Sequence, residues 1–280
     1  MASIADASGR GGAAGCEGVS RVCAIITARN EEIYAKSLFP YLVANGVDFY
    51  LIDHGSTDRT KEIAKDFENR GLVGIKDLPF DGTFNLTQML KAEAQAVQSL
   101  PHEWILHHDM DEILQHPDPD RTLASDADSD GTNVVNFNEF VFLPPTAGPE
   151  NEAAYRQHNL DYYFFEPHQN RLMRLWRRGC GLSNIHSGGH RLEGDVRQFA
   201  RMGQMRHYIT LSQEHIWKKY LNRIFSSEDV NKGWHGNRID LAREMLDISL
   251  VPPDNLYRSV SPDDRDLKTD RPFQKHFWEW

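Results

Sequence analysis

The sequence predicts an α/β fold with a mostly parallel central sheet flanked by helices. Two observations carry this. Between residues 21 and 115, short apolar runs alternate with segments of helical periodicity, and parallel strands need such a crossover between neighbours. Polar clusters also follow directly on three of those runs, and open parallel sheets bind ligands beyond the carboxyl ends of their strands.

The elements follow in order. Val22 to Thr27 (VCAIIT) is a buried strand, and Glu32 to Asn45 a helix with Gly46 as its C-terminal cap. Phe49 to Ile52 is the second strand. Ser56 or Thr57 is expected to cap a helix whose apolar face is Ile63, Ala64 and Phe67, ended by Gly71. Leu72 to Ile75 is the third strand. Leu86 to Leu100 places Leu86, Met89, Leu90, Ala94 and Val97 at helical spacing, and Trp104 to Leu106 is the fourth strand. Residues 116 to 131 read as an acidic loop. Its Asp126, Asp128 and Asp130 match the opening of a calcium loop, but Phe137 stands where a bidentate Glu is needed. Val134 to Leu143 and Arg171 to Trp176 read as strands, Ser212 to Phe225 and Arg238 to Ile248 as helices, giving a helical C-terminal extension.

The expected organisation is a disordered leader over 1–20 and one domain over 21–250. Its halves are 21–115 and 116–250. A tail follows over 251–280, whose Phe273, Phe277, Trp278 and Trp280 would pack on the domain, between two copies, or at a membrane surface. No apolar run reaches the roughly 18 residues of a membrane span. Three scattered cysteines and no apolar signal core fit a reducing, cytoplasmic setting, free or peripheral to a membrane. The net charge of −10 argues against non-specific nucleic-acid binding, so a phosphate-bearing ligand would need a metal ion or a local basic patch.

Asp109 and Asp111 are the sharpest feature. At i, i+2 in an extended chain, both carboxylates face one side. Two hard oxygen donors there suit Mg²⁺ or Mn²⁺ that shares its shell with substrate phosphate; the plainer reading is a solvated acidic turn. Asp53, directly after FYLI, is placed to accept hydrogen bonds from a base or ribose, or to form a local turn.

Together, T-A-R-N-E-E after the first strand, D-H-G-S-T-D after the second and W-I-L-H-H-D-M-D-E at the fourth resemble the family 2 glycosyltransferases, enzymes with the GT-A fold. The resemblance implies that Thr27, Arg29 and Glu31 line a nucleotide pocket and that Asp53 meets the base. It further implies that Asp109 contacts ribose or metal and Asp111 the metal, Mn²⁺ or Mg²⁺. More loosely, N-R-L-M-R-L-W-R-R, Ile185-His186 and His207-Tyr208 to Ser212 resemble a smaller branch of the same enzymes, which makes His207 a third ligand of the metal or diphosphate, on a loop free to swing. Many members carry an acidic pair as base. This chain lacks it, leaving Glu193, Asp195, His186 and His190 as alternatives. Lys91, Arg171, Arg174, Arg177 and Arg178 are available to phosphate.

The implied reaction is inverting transfer of a sugar from a nucleotide-sugar donor to an acceptor hydroxyl on a glycan, a lipid-linked or another carrier. The metal would act as Lewis acid on the departing diphosphate and a base would take the acceptor's proton. A phosphotransferase would place its D-x-D after the first strand, not the fourth. A catalytically silent nucleotide- or carbohydrate-binding module is the other reading.

Overall fold

A computed structural model describes residues 21–145 and 152–280; the expected leader lies outside the described residues. The first half follows the predicted alternation. It runs β1 (Val22–Ala28), α1 (Glu32–Ala44), β2 (Val47–Asp53), α2 (Thr60–Lys65), β3 (Leu72–Asp77), α3 (Leu86–Ser99) and β4 (Trp104–His108). These four strands are parallel in the order β3-β2-β1-β4. Both faces are covered, as a parallel sheet requires. Val22, Ala24 and Ile26 pack with Tyr34, Leu38 and Phe39 of α1 and Ile63 of α2. Cys23, Ile25 and Ile105 pack with Met89 and Ala92 of α3. Gly46 at φ 69° ends α1, its N–H donating to Val43 O.

Register aligns the carboxyl ends. Ala28 pairs with Asp53, Asp53 with Asp77, and Ile26 with His108. The loops that follow β1, β2 and β4 therefore open on one edge.

The second half is mixed. It comprises β5 (Glu112–Gln115), α4 (Leu123–Ser129), β6 (Val134–Leu143), α5 (Tyr155–His158), β7 (Asp161–Phe165), β8 (Met173–Arg177), β9 (Gly203–His207), α6 (Gln213–Tyr220), α7 (Ser227–Asn231), β10 (Tyr257–Arg258) and β11 (Pro272–Phe273). β8 pairs antiparallel with β4 and with the start of β6. A register shift at Val135/Asn136 then frees the rest of β6 to pair with β7 and, in parallel, with β9. β9 also pairs antiparallel with β5, setting His207 opposite Glu112. That exchange of partners along one strand brings Glu139 of β6 beside His207.

Several elements differ from expectation. Residues 116–131 contain α4, whose N-cap Thr122 accepts from Ser125 N. β7 and β9 were not expected. DYYFF is buried from Tyr162 to Phe165 and shows no alternation, while β9 buries Gln204 and Arg206, polar residues that hide a strand pattern. Ser56 and Thr57 do not cap α2. The Ser56 hydroxyl accepts from Asn30 N and Thr57 N donates to Asn30 Oδ1, so they lock the loop after β2 to the loop after β1. Residues 238–248 form short 3₁₀ turns. Gln213 ties the turn at its end, donating to Leu246 O and accepting from Ile248 N. The helical extension is thus α6, α7 and single turns. In the tail, Phe277 and Trp278 are buried against the chain's own residues, Trp278 near Tyr220. No helix among the described residues is long and apolar enough to cross a membrane.

Candidate active site

The three strand-end loops open into one cavity of about 1290 Å³. Its wall includes residues 27–34, His54, Thr57, Asp58, Phe80, residues 109–112, Glu139, His190, His207, Lys219, Arg223 and Arg238. One side is closed by segment 222–238, which is stitched to the loop before α3. Phe84 N donates to Ile224 O (2.7 Å) and Ser226 N to Phe84 O (2.9 Å). The buried Asp229 accepts from Leu86 N, Thr87 N and the Thr87 hydroxyl, capping α3 from 143 residues away, beside the local cap Asn85.

At the end of β4 the two aspartates face different partners. Asp109 Oδ2 accepts from Arg174 (3.0 Å), which also donates to Glu112 (2.7 Å). Burial is the largest influence on the Asp109 carboxylate and works against it, but Arg174, His107 and His207 together hold its pKa low. Asp111 Oδ2 accepts from Lys219 Nζ (2.6 Å) and lies 3.3 Å from His207 Nε2. Burial would raise Asp111 too, yet Lys219 and His207 hold it well below the carboxylate range. His207 Nδ1 lies 2.6 Å from Glu139 Oε1. His207 sits within β9, not on a swinging loop, and the paired strand fixes its position.

Asp111 and His207 are donor types that a divalent ion takes, and Lys219 Nζ shares the same Asp111 oxygen. Asp111 Oδ2 and His207 Nε2 are separated by 3.3 Å, close to the roughly 3 Å between adjacent ligands of a Mg²⁺-sized ion. Glu139 at Nδ1 is the carboxylate partner that orients metal-ligating histidines. With Nδ1–H donated to Glu139, Nε2 and Oδ2 are two acceptors face to face, an arrangement that a proton or a cation reconciles. Among the described residues no group of three His, Cys, Asp or Glu forms a complete cage. Ions that share their shell with water and phosphate use few protein ligands in this way.

The other expected site residues divide. Thr27 lies on the wall, its hydroxyl donating to Glu93, which in turn holds His107. Arg29 lies on the wall and stacks over Phe80 at 3.7 Å. Burial lifts Glu31 to about 7, against the pull of Lys219. Asp53 is buried behind the wall. Its Oδ2 accepts from Ser56 N, the turn role, and Oδ1 has no partner among the described residues. Its neighbour His54 reaches the wall instead, only 1% exposed and with both ring nitrogens unpartnered. Burial, then Arg29, lowers its pKa, so it is a neutral imidazole. Lys91 is exposed, 3.9 Å from Glu228 and away from the cavity.

Among the candidate bases, Glu193, Asp195 and His186 are exposed and do not line the cavity. His190 does, but Arg171 donates to its Nδ1 (3.1 Å). The neutral ring then carries its proton on Nε2, which makes that nitrogen a donor and not a base. Glu139 and Lys219 escaped the sequence reading. Glu139 sits in an aromatic strand and Lys219 in the charged run W-K-K-Y, and neither pattern marks a site.

Loop 185–190 reaches the wall through Ser187, Gly188 and His190, and Gly189 beside them is held at φ +82°. A Cβ there would stand 3.1 Å from His107 Nε2 and 3.3 Å from Leu90. Gly189→Ala is expected to lower the unfolding free energy by about 1–3 kcal/mol, read by urea denaturation; an unchanged midpoint would show that the loop relaxes freely.

No family model matches the chain, and no curated protein matches it in sequence. Among solved structures it is similar to the S. aureus TarS 1-349 fragment in complex with UDP, at 13% identity and a TM-score of 0.44. That match covers 76% of this chain and 68% of that one. Against S. aureus TarS the identity is 13% and the TM-score 0.44, covering 81% of this chain and 47% of the other. Glucosyl-3-phosphoglycerate synthase from Mycobacterium tuberculosis, in complex with Mn²⁺, UDP and phosphoglyceric acid, is 18% identical over 43% of each chain, with a TM-score of 0.28.

Proposed function

We propose that the chain transfers a sugar from a nucleoside-diphosphate sugar to an acceptor hydroxyl, in a GT-A-type domain over residues 21–250 divided near 115. The observation that carries this is the convergence in one cavity of three parallel-strand ends with the Asp111–His207–Glu139 relay. Arg29, His54 and Phe80 form the nucleoside end, where the His54 ring borders the cavity edge-on to Phe80. Asp111 and His207 would hold a divalent ion, with Asp109 beside them. When bound, that ion supplies Lewis-acid stabilisation of the departing diphosphate. Lys219 and Arg223 line the same stretch of wall and add fixed positive charge for the leaving group. Arg174 holds Asp109 in place through its fork. Glu139 orients His207. Segment 222–238 excludes water from one side.

The test is a panel of nucleoside-diphosphate sugars, UDP sugars included, with Mn²⁺ or Mg²⁺, scored by released nucleoside diphosphate. Release from one donor with the metal, and little without it, is expected. A panel that yields neither release nor a thermal shift would remove the reading.

His54 gives a further expectation. His54→Phe keeps the ring but removes two buried nitrogens that lack partners, so stability should hold or rise. Nucleoside diphosphate binding should weaken about 3–10-fold, the worth of one hydrogen bond. Calorimetry reads both arms, and unchanged affinity would take His54 out of the base site.

A further inference from the structure

The cavity wall also carries residues to which the donor reading assigns no role. They include Phe165, Pro167, Arg171, Arg238, His276 and Glu279. The Arg238 guanidinium makes no ion pair or hydrogen bond with a described residue, its Nε is buried without a partner, and it lies 5.5 Å from the Tyr220 ring centroid. Arg171 donates to His190 and to Glu139, but its Nε is likewise buried and unpartnered. The two cations are close enough to disfavour each other: burial, then Arg174 and Arg238, lower the Arg171 pKa. His276 offers no countercharge. It is a ring stacked on Phe165 at 3.8 Å, and burial followed by Arg238 pushes its pKa well down. Glu279 is already held, accepting from His276 N (3.2 Å) and Asn237 Nδ2 (3.4 Å).

Buried cationic donors are costly without an anion to complete them. Arg171 already has an anion in Glu139, so Arg238 is the cation left to complete, and the planar forks of the two guanidiniums match phosphate oxygens. The stacked Phe165–His276 pair supplies a flat floor beside them.

We propose that this part of the wall holds the acceptor through a phosphate group, bound between Arg238 and Arg171. The word acceptor rests on the glycosyl-transfer reading; the anion site does not.

Inorganic phosphate is the probe, titrated calorimetrically into the full chain with Mg²⁺, with and without saturating UDP. Phosphate is expected to bind at one equivalent in both cases. Arg238→Gln should weaken it at least about tenfold while UDP affinity stays unchanged. Arg238 has no described polar contact to lose, only its place over the Tyr220 ring, so the variant's melting temperature should match or exceed the parent's. Phosphate that binds only when UDP is absent would return both arginines to the donor diphosphate and overturn the proposal. So would phosphate affinity that survives Arg238→Gln, or no phosphate binding at all. Phosphate binding that depends on Arg238 in a chain that fails to bind UDP would support the anion site while removing the donor reading.

Discussion

Asp111→Asn is expected to reduce turnover by about a thousandfold or more, the scale on which single charge-stabilising groups act in catalysis. Asn keeps the volume and can still accept from Lys219, but loses the charge that pairs with Lys219 and His207. A chelator should impose a comparable loss on the parent, because Asp111 and His207 supply the proposed ion's protein ligands. Stability should also fall, by up to about 3–5 kcal/mol, the range for removing one partner of a buried pair. The sign of its pH dependence follows from the depressed Asp111 pKa. A carboxylate depressed in the folded state stabilises above its unfolded value of about 3.9, and that contribution disappears as pH falls through the folded value. The variant should therefore lose less stability than the parent between pH 5 and pH 3. Near-ultraviolet dichroism checks the fold. Parental turnover in the variant, or in excess chelator, would dismiss the ion site.

Arg174→Met is expected to be the most destabilising substitution in the site, at about 3–5 kcal/mol. Arg174 is 4% exposed and serves both Asp109 and Glu112, so its removal strands the buried Glu112 carboxyl and frees the half-exposed Asp109. Burial already pushes Glu112 to about 7 against the pull of Arg174. A carboxyl raised in the folded state binds protons that the unfolded chain releases, so stability falls as pH rises from about 4.3 towards that raised value. Without Arg174 this penalty grows. The deficit should be smaller at pH 5 than at pH 8, measured by urea unfolding at both. A deficit below 1 kcal/mol, or one equal at the two pH values, would mean that water replaces the guanidinium.

The parallel half was legible because each strand there is a short apolar run bounded by helix signals. VCAIIT and WIL carry their burial in the sequence itself. The polar ends of those strands were legible for the same reason, and Asp109, Asp111, Thr27, Arg29 and Glu31 do line the cavity. What could not be read depends on contacts between distant residues. β9 buries Arg206, whose guanidinium donates to the Asp264 carbonyl, so its sequence reads as a polar loop. Glu139 meets His207 because β6 changes partners at Asn136, a register event with no local signature. Two polar residues, Asp53 and His54, follow FYLI in the sequence. Which of Asp53 and His54 faces the cavity is decided by the turn that Ser56 N closes on Asp53.

The stitch between Phe84 and Phe225 makes one wall of the cavity a cooperative unit. Swinging segment 222–238 outward breaks both backbone bonds at Phe84 and withdraws Asp229 from the first turn of α3. Opening that side therefore frays a helix on the other, and losing the cap alone costs about 1 kcal/mol. In hydrogen–deuterium exchange, the amides of Phe84, Leu86, Thr87 and Ser226 should lose protection together, at one opening free energy. Asp229→Ala should quicken all four, including Phe84 and Ser226, whose bonds it does not touch. A ligand that bridges Arg223 on the segment and Arg29 on the fixed loop would slow all four in step, making their common exchange rate a gauge of how fully the cavity is occupied.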